Sequence, residues 1–294
     1  FGSSLISKPL AYQLQLHISV YYDLIFLMSL SLILLSILCT GATAARLKST
    51  EEAQFDSSHP LRVACVGDSI TFGYNAQSPN MSYPSQLQEL LGPDYEVGNF
   101  GHSGSMLTKL IPGSVEADAV LAQPGKSSYW ETPEYNASHD FMPDIVVIQL
   151  GTNDASKFSW FDSPERRTRF LQDYKELINT YKVLPSRPEI FLSVIPPCFI
   201  DGQYDLQQFV INDIMPELIP AIAAAAGLPP PIDVAGAFRR HCPGEIGPNR
   251  IDCDWLSGAG MWGIPGPTPP YNDIHPNDDG YGAIAAEVAK VVLY

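Results

Sequence analysis

The sequence predicts a three-layer α/β/α sandwich built on a five-stranded parallel sheet of flavodoxin-like type. Three observations carry that expectation. After residue 60, short apolar runs alternate with longer segments of helical periodicity, the pattern of a parallel sheet covered on both faces. The clearest run, Asp144 to Leu150, is almost unbroken in apolar character, as a central parallel strand buried on both faces requires. The 294 residues are 45% hydrophobic and 17% charged. With residues 1–45 set aside, about 250 remain, enough for one large domain with its own core.

The opening segment reads differently from the rest. Leu24 to Cys39 is apolar apart from its serines, and Thr40-Gly41-Ala42-Thr43-Ala44-Ala45 follows. Residues 1–45 therefore read as a secretory leader cleaved after Ala44 or Ala45, which implies a secreted or extracytoplasmic protein. Upstream of the run there is one lysine, Lys8, with Asp23 against it, and the chain begins with Phe. The expectation is that Met28 is the true start, or that the sequence runs upstream of it. The alternative is an uncleaved membrane anchor; the run is short for that, though the weakly apolar residues up to Arg46 lengthen it. Residues 46–60 form a polar lead-in, and residues 61–294 form the domain.

Within the domain, Leu61-Arg62-Val63-Ala64 begins the first strand, leading into Cys65-Val66-Gly67-Asp68-Ser69-Ile70-Thr71-Phe72-Gly73. Tyr83 to Leu91 carries Leu87, Leu90 and Leu91 at helical spacing and stops at Gly92-Pro93. Tyr95 to Asn99 is a short second strand, followed by the glycine-rich turn Phe100 to Ser105 and a short helix to about Leu110. Pro112 to Pro143 is loop-like in composition, with a helix near Val115 to Leu121. After the strand at Asp144, Gly151-Thr152-Asn153-Asp154 closes it. Asp162 or Ser163 caps a helix from Pro164 to Val183 whose apolar face holds Phe170, Leu171, Tyr174, Leu177, Ile178 and Tyr181. Glu189 to Ile195 is a fourth strand, Phe209 to Ala226 a helix ended by Gly227, and Pro231 to Val234 a fifth strand. Gly236 to Tyr271 is a long Gly/Pro-rich loop, and Asp278 to Leu293 the last helix. The two long loops read as walls of a site, the usual reason for such lengths.

The formal net charge is −15. Phosphate backbones are bound by Lys and Arg, so nucleic acid and anionic membrane surfaces are poor partners, whereas neutral substrates are tolerated. No stable membrane association is expected after leader cleavage, and the chain is expected to be a monomer. Four cysteines follow the leader: Cys65, Cys198, Cys242 and Cys253. Cys242 and Cys253 flank a Gly/Pro-rich loop and are the expected disulfide; Cys65 reads as a buried thiol unless Cys198 comes beside it. No Cys-x-x-Cys or His/Cys cluster suggests a metal. Asn80-Met81-Ser82 and Asn136-Ala137-Ser138 are glycosylation sequons if the source has a eukaryotic secretory pathway.

Ser69 stands where a strand ends and the chain turns toward a helix, at the sheet edge where open α/β folds bind ligands. A serine hydroxyl becomes a nucleophile only beside a neutral imidazole. Of the six histidines, His275 precedes the last helix, from where it can return to that edge. Gly67-Asp68-Ser69 resembles the first block of the GDSL, or SGNH, hydrolases. Asn99-Phe100-Gly101-His102-Ser103-Gly104 is similar to the second, Gly151-Thr152-Asn153-Asp154 to the third, and the segment around His275 to the fourth. The resemblance implies the SGNH hydrolase fold and ester hydrolysis through an acyl-enzyme, with no metal and no organic cofactor. It also implies Ser69 as nucleophile, His275 as base, and an oxyanion hole from the N–H groups of Ser69 and Gly104 and the amide of Asn153. The elbow Gly-x-Ser-x-Gly of the α/β-hydrolases is absent.

One position departs from the family's pattern. Three residues before His275, where the family carries Asp, stands Asn272; the Asp is Asp273. Either Asp273, Asn272 or a backbone carbonyl orients the imidazole. Ser128 to Tyr135 and Pro143 to Asp154 look like stretches of bacterial-type sialate or carbohydrate O-acetylesterases. Trp130, Trp160 and Trp262, in loops, are candidate sugar-stacking walls, with loop anchoring the alternative. The expected function is a secreted esterase removing short acyl groups, acetyl first, from glycans. The alternatives are a lipid or aryl esterase of the same fold, or, given Asn272, a catalytically inactive glycan-binding protein.

Overall fold

The computed structural model describes residues 59–123, 125–158, 164–242, 253–258 and 271–293. The leader, most of the lead-in, the cap at Asp162 or Ser163, and both Trp160 and Trp262 lie outside them. Among the described residues no helix is long and apolar enough to cross a membrane.

In chain order the elements are β1 (Leu61–Gly67), the single turn α1 (Ser69–Phe72), α2 (Tyr83–Leu91), β2 (Tyr95–Gly101), β3 (Ser105–Met106), α3 (Val115–Leu121), β4 (Ser127–Ser128), α4 (Pro133–Asp140) and β5 (Ile145–Gln149). There follow α5 (Pro164–Lys182), β6 (Glu189–Leu192), α6 (Met215–Ala226), α7 (Val234–His241), β7 (Leu256–Gly258), β8 (Tyr271–Pro276) and α8 (Asp278–Val292). The main sheet has the order β2-β1-β5-β6, parallel throughout. β1 and β5 lie at its centre, and all five residues of β5 are buried.

Alternation along β1 sorts the two covering layers. Ala64 and Val66 face Phe170, Tyr174, Leu177 and Ile178 of α5 and Met215, Ile219 and Ile222 of α6. Val63 and Cys65 face Leu87 and Leu91 of α2, Phe238 of α7, and Ile284 and Val288 of α8. The result is the three-layer α/β/α arrangement expected from the sequence.

Several details differ from that expectation, each for a local reason. The fifth strand is reduced to one parallel bridge, Ser193 with Ile232. Pro229, Pro230 and Pro231 bring no N–H donors to a ladder, and Asp233 turns the chain at once by capping α7 through the Gly236 N–H at 2.9 Å. The helix expected before Leu110 is instead β3, paired parallel with β4. The backbone N–H groups of Leu107 and Thr108 are engaged by the carboxylate of Asp154, at 2.8 and 2.9 Å, and are not available to a helix. The helix expected from Phe209 begins as a π turn, Val210–Ile214. Pro216 has no N–H to offer the Asn212 carbonyl four residues back, which accepts from the Arg239 guanidinium instead.

Two helices also appear where a loop was expected. α4 starts at Pro133, with the Thr132 hydroxyl accepting from the Tyr135 N–H, a cap-plus-proline start. α7 lies at the head of the long Gly/Pro-rich segment, and β7 within it. Cys242 and Cys253 are disulfide-bonded, while Cys65 and Cys198 are free and buried.

Candidate active site

Gly67 ends β1 in contact with its surroundings: a Cβ there would stand 2.0 Å from Thr71 Oγ1 and 2.7 Å from the Gln149 carbonyl oxygen. Only glycine permits the chain to turn so closely over the neighbouring strand. Asp68 then caps α1, its carboxylate accepting from the Ile70 N–H at 3.0 Å. The turn ends at Gly73 in a left-handed conformation, φ 92°. Ser69 is thereby the first residue of a single helical turn at the carboxyl end of a central strand.

His275 arrives from the far end of the chain. β8 pairs antiparallel with β7, and Asn277 pins the next junction: its carbonyl oxygen caps α8 at the Gly280 N–H, 3.0 Å, while its amide donates to the carbonyls of Asp254 and Leu256. The imidazole Nε2 lies 3.0 Å from Ser69 Oγ. Its Nδ1 lies 2.7 Å from Asp273 Oδ1, which also accepts from the His275 N–H at 2.8 Å. A carboxylate at Nδ1 keeps the ring proton there and leaves Nε2 free to accept from the serine. Asp273 Oδ2 accepts from Tyr204 OH at 3.0 Å. The rings of Tyr74 and Tyr204 lie 4.6 and 5.4 Å from the imidazole. Ser69, Asp273 and His275 are 9%, 2% and 6% exposed, so one edge of the constellation opens outward.

Opposite the imidazole, three segments meet. Gly104 is left-handed, φ 81°, and a Cβ on it would fall 1.8 Å from the Gly125 carbonyl oxygen. Asn153 opens the turn after β5, and its Nδ2 donates to the Ser105 carbonyl at 2.9 Å. Its Oδ1 accepts from Lys126 Nζ. The next residue, Asp154, is fully engaged by Leu107 and Thr108, which ties the end of β5 to β3. Ser69, His275, Gly104, Asn153, Lys126 and Tyr204 line a shared cleft of about 530 Å³. Burial pushes the Asp68 carboxyl up to about 6, against the pull of the Ile70 N–H and of Thr152, and of the charges of His275 and Lys126. Burial also lowers the Lys126 ammonium, against Asp68, Asp154 and Asp205.

Ser69, His275, Asp273, Gly104 and Asn153 are therefore brought together. Asn272 stands in β8, but its side chain lies outside the described residues, as do Trp160 and Trp262. Trp130 is a correction. It does not line the cleft: its indole donates to the Leu107 carbonyl at 2.8 Å, Lys109 Nζ sits 4.0 Å over its ring, and it packs on the core as a loop anchor. Sequence reasoning missed Lys126, Tyr74 and Tyr204. Nothing local marks Lys126 in Gly125-Lys126-Ser127-Ser128; Tyr204 sits in the turn-like string Gly202-Gln203-Tyr204-Asp205, where Tyr204 and Asp205 both take positive φ.

The GDSL-like lipase/acylhydrolase family model matches residues 65–283. An acetylxylan esterase of Xylanibacter ruminicola is 31% identical over 179 residues, a match covering 54% of this chain and 32% of that protein. This chain thus spans about a third of that esterase's length. The fold is similar to that of an aryl esterase from M. smegmatis, TM-score 0.54 at 16% identity over 79% of this chain and 98% of the other. It is also similar to that of a carbohydrate acetylesterase from Sinorhizobium meliloti, TM-score 0.53 at 17% identity with the same coverage.

Proposed function

The chain belongs to the GDSL-like lipase/acylhydrolase family, and from that membership we propose that it is a secreted serine esterase removing short acyl groups, acetyl foremost, from carbohydrate. The observation that carries this reading is the Ser69 Oγ to His275 Nε2 contact of 3.0 Å, with Asp273 at the far side of the ring.

Ser69 Oγ attacks the ester carbonyl carbon while its proton passes to His275 Nε2. The carbonyl oxygen becomes an oxyanion facing the N–H groups of Ser69 and Gly104 and the Nδ2 of Asn153. Each such donor is worth about 2.7–4 kcal/mol of barrier. As the tetrahedral centre collapses, the bond to the alcohol oxygen breaks and His275 returns the proton to it. Water then attacks the acyl-Ser69 ester, giving its proton to Nε2. A second collapse frees the acid and restores the serine hydroxyl. Asp273 holds the ring and stabilises the imidazolium of both halves.

The acetyl-carbohydrate part of the reading is supported by the acetylxylan esterase similarity and by a net charge of −15, which suits neutral substrates. Secretion is supported by the leader pattern and by the Cys242–Cys253 disulfide, a bond at home in oxidising compartments. The test is acetate release from acetylated xylan, wild type beside Ser69→Ala. Release by the wild type and its loss in the variant are expected. Binding of the glycan with no acetate released by either protein would return the chain to an inactive binding role.

A further inference from the structure

We propose that Lys126 is a positioning residue that fixes the amide of Asn153 as an oxyanion donor. The inference rests on the esterase reading above and adds a part to it.

A side-chain amide has a donor end and an acceptor end of nearly equal size, so it can sit either way round. At an oxyanion hole the difference is decisive: one orientation offers an N–H to the developing charge and the other offers a carbonyl oxygen that repels it. Two neighbours remove the choice for Asn153. Lys126 Nζ, which has donors and no acceptor, faces Oδ1. The Ser105 carbonyl, an acceptor with no donor, takes one Nδ2 hydrogen at 2.9 Å. Reversing the amide would set donor against donor and acceptor against acceptor. The second Nδ2 hydrogen is left for the cleft that Asn153 shares with Ser69. A cation on the amide oxygen also polarises the group, which strengthens its N–H as a donor.

The segment that carries Lys126 touches the other side of the hole as well. The Gly125 carbonyl fills the space where a side chain on Gly104 would go, and the Ser127 N–H donates to the Gly104 carbonyl at 3.4 Å. One short stretch, Gly125 to Ser127, therefore abuts both Gly104 and Asn153. The cost of holding an ammonium there is visible in its environment: the residue is half-buried, and partial burial weakens its protonated form. Asp68, Asp154 and Asp205 support it through space, while its side-chain hydrogen bond goes to the Asn153 amide.

The experiment is steady-state hydrolysis of 4-nitrophenyl acetate by wild type, Lys126→Met, Asn153→Ala and the double variant, with Lys126→Arg as the conservative rescue. Lys126→Met is expected to lower kcat about tenfold or more with KM within about twofold, the signature of a contact made in the transition state. Lys126→Arg should recover part of the loss. Asn153→Ala should lower kcat about 10²-fold, and adding Lys126→Met to it should cost nothing further, because the lysine acts through the amide. Unchanged kcat in Lys126→Met, or losses that multiply in the double variant, overturn the proposal while leaving the esterase reading intact. If Lys126→Met does not fold, Lys126→Gln enters the same cycle, with the same two outcomes deciding. A wild type without turnover sinks the esterase reading itself, and this proposal with it.

Discussion

Both oxygens of Asp273 are committed, Oδ1 to the His275 ring and backbone, Oδ2 to the Tyr204 hydroxyl. An Asn at that position keeps the size of the side chain but loses the charge that opposes an imidazolium. Asp273→Asn is expected to cut kcat by about 10³–10⁴ with KM little changed, the scale of the same change in a serine protease triad. Measured kcat within tenfold of wild type would mean that another group orients the ring. The residue was only half legible in the sequence. Spacing by family pattern favours a partner three residues before the histidine, which presumes a turn. β8 is a strand, and on a strand residues two apart share a face, so Asp273 and His275 meet directly. The serine, the histidine and both oxyanion candidates were legible because each sits in a motif. Lys126 and Tyr204 were not, since each reaches the site across a fold whose loops carry no such signature.

At the scale of the element, the single turn α1 places Ser69, and Asp68 holds that turn by its cap. The cap is a buried carboxyl pushed up to about 6, above its value of about 3.9 in an unfolded chain. Between those two values the folded protein binds a proton that the unfolded chain does not. Stability therefore falls as pH rises through that window, and the cost is complete above about pH 6. Asp68→Asn keeps an oxygen to accept from Ile70 and never charges. Its melting temperature relative to wild type is expected to improve between pH 4 and pH 8, as read by thermal melts at each pH. A gap that does not change with pH contradicts this. Element starts that went unread, α4 and α7, carried their signals openly in Thr132-Pro133 and Asp233. They were masked by the Gly- and Pro-rich composition around them. The fifth strand is cut short for the opposite reason: Ile232 makes its parallel bridge to Ser193, but the three prolines before it bring no N–H groups to extend the ladder.

For the molecule as a whole, the parallel sheet does the long-range work. Ser69 and His275 are 206 positions apart. They meet because β1 ends at the same sheet edge to which the segment before α8 returns. The layers, the central strands and the two covering cores follow from the apolar periodicity of the strand and helix segments after residue 60. The contacts that close the cleft, Tyr204 on Asp273 and Lys126 on Asn153, follow from tertiary packing alone. The most direct test of a serine activated by this imidazole is labelling with a fluorophosphonate, followed by peptide mass spectrometry. The expected result is one adduct, on Ser69, absent in Ser69→Ala and formed about 10²-fold or more slowly in His275→Ala. An adduct on a different residue, or Ser69 labelled at the wild-type rate without His275, would contradict it.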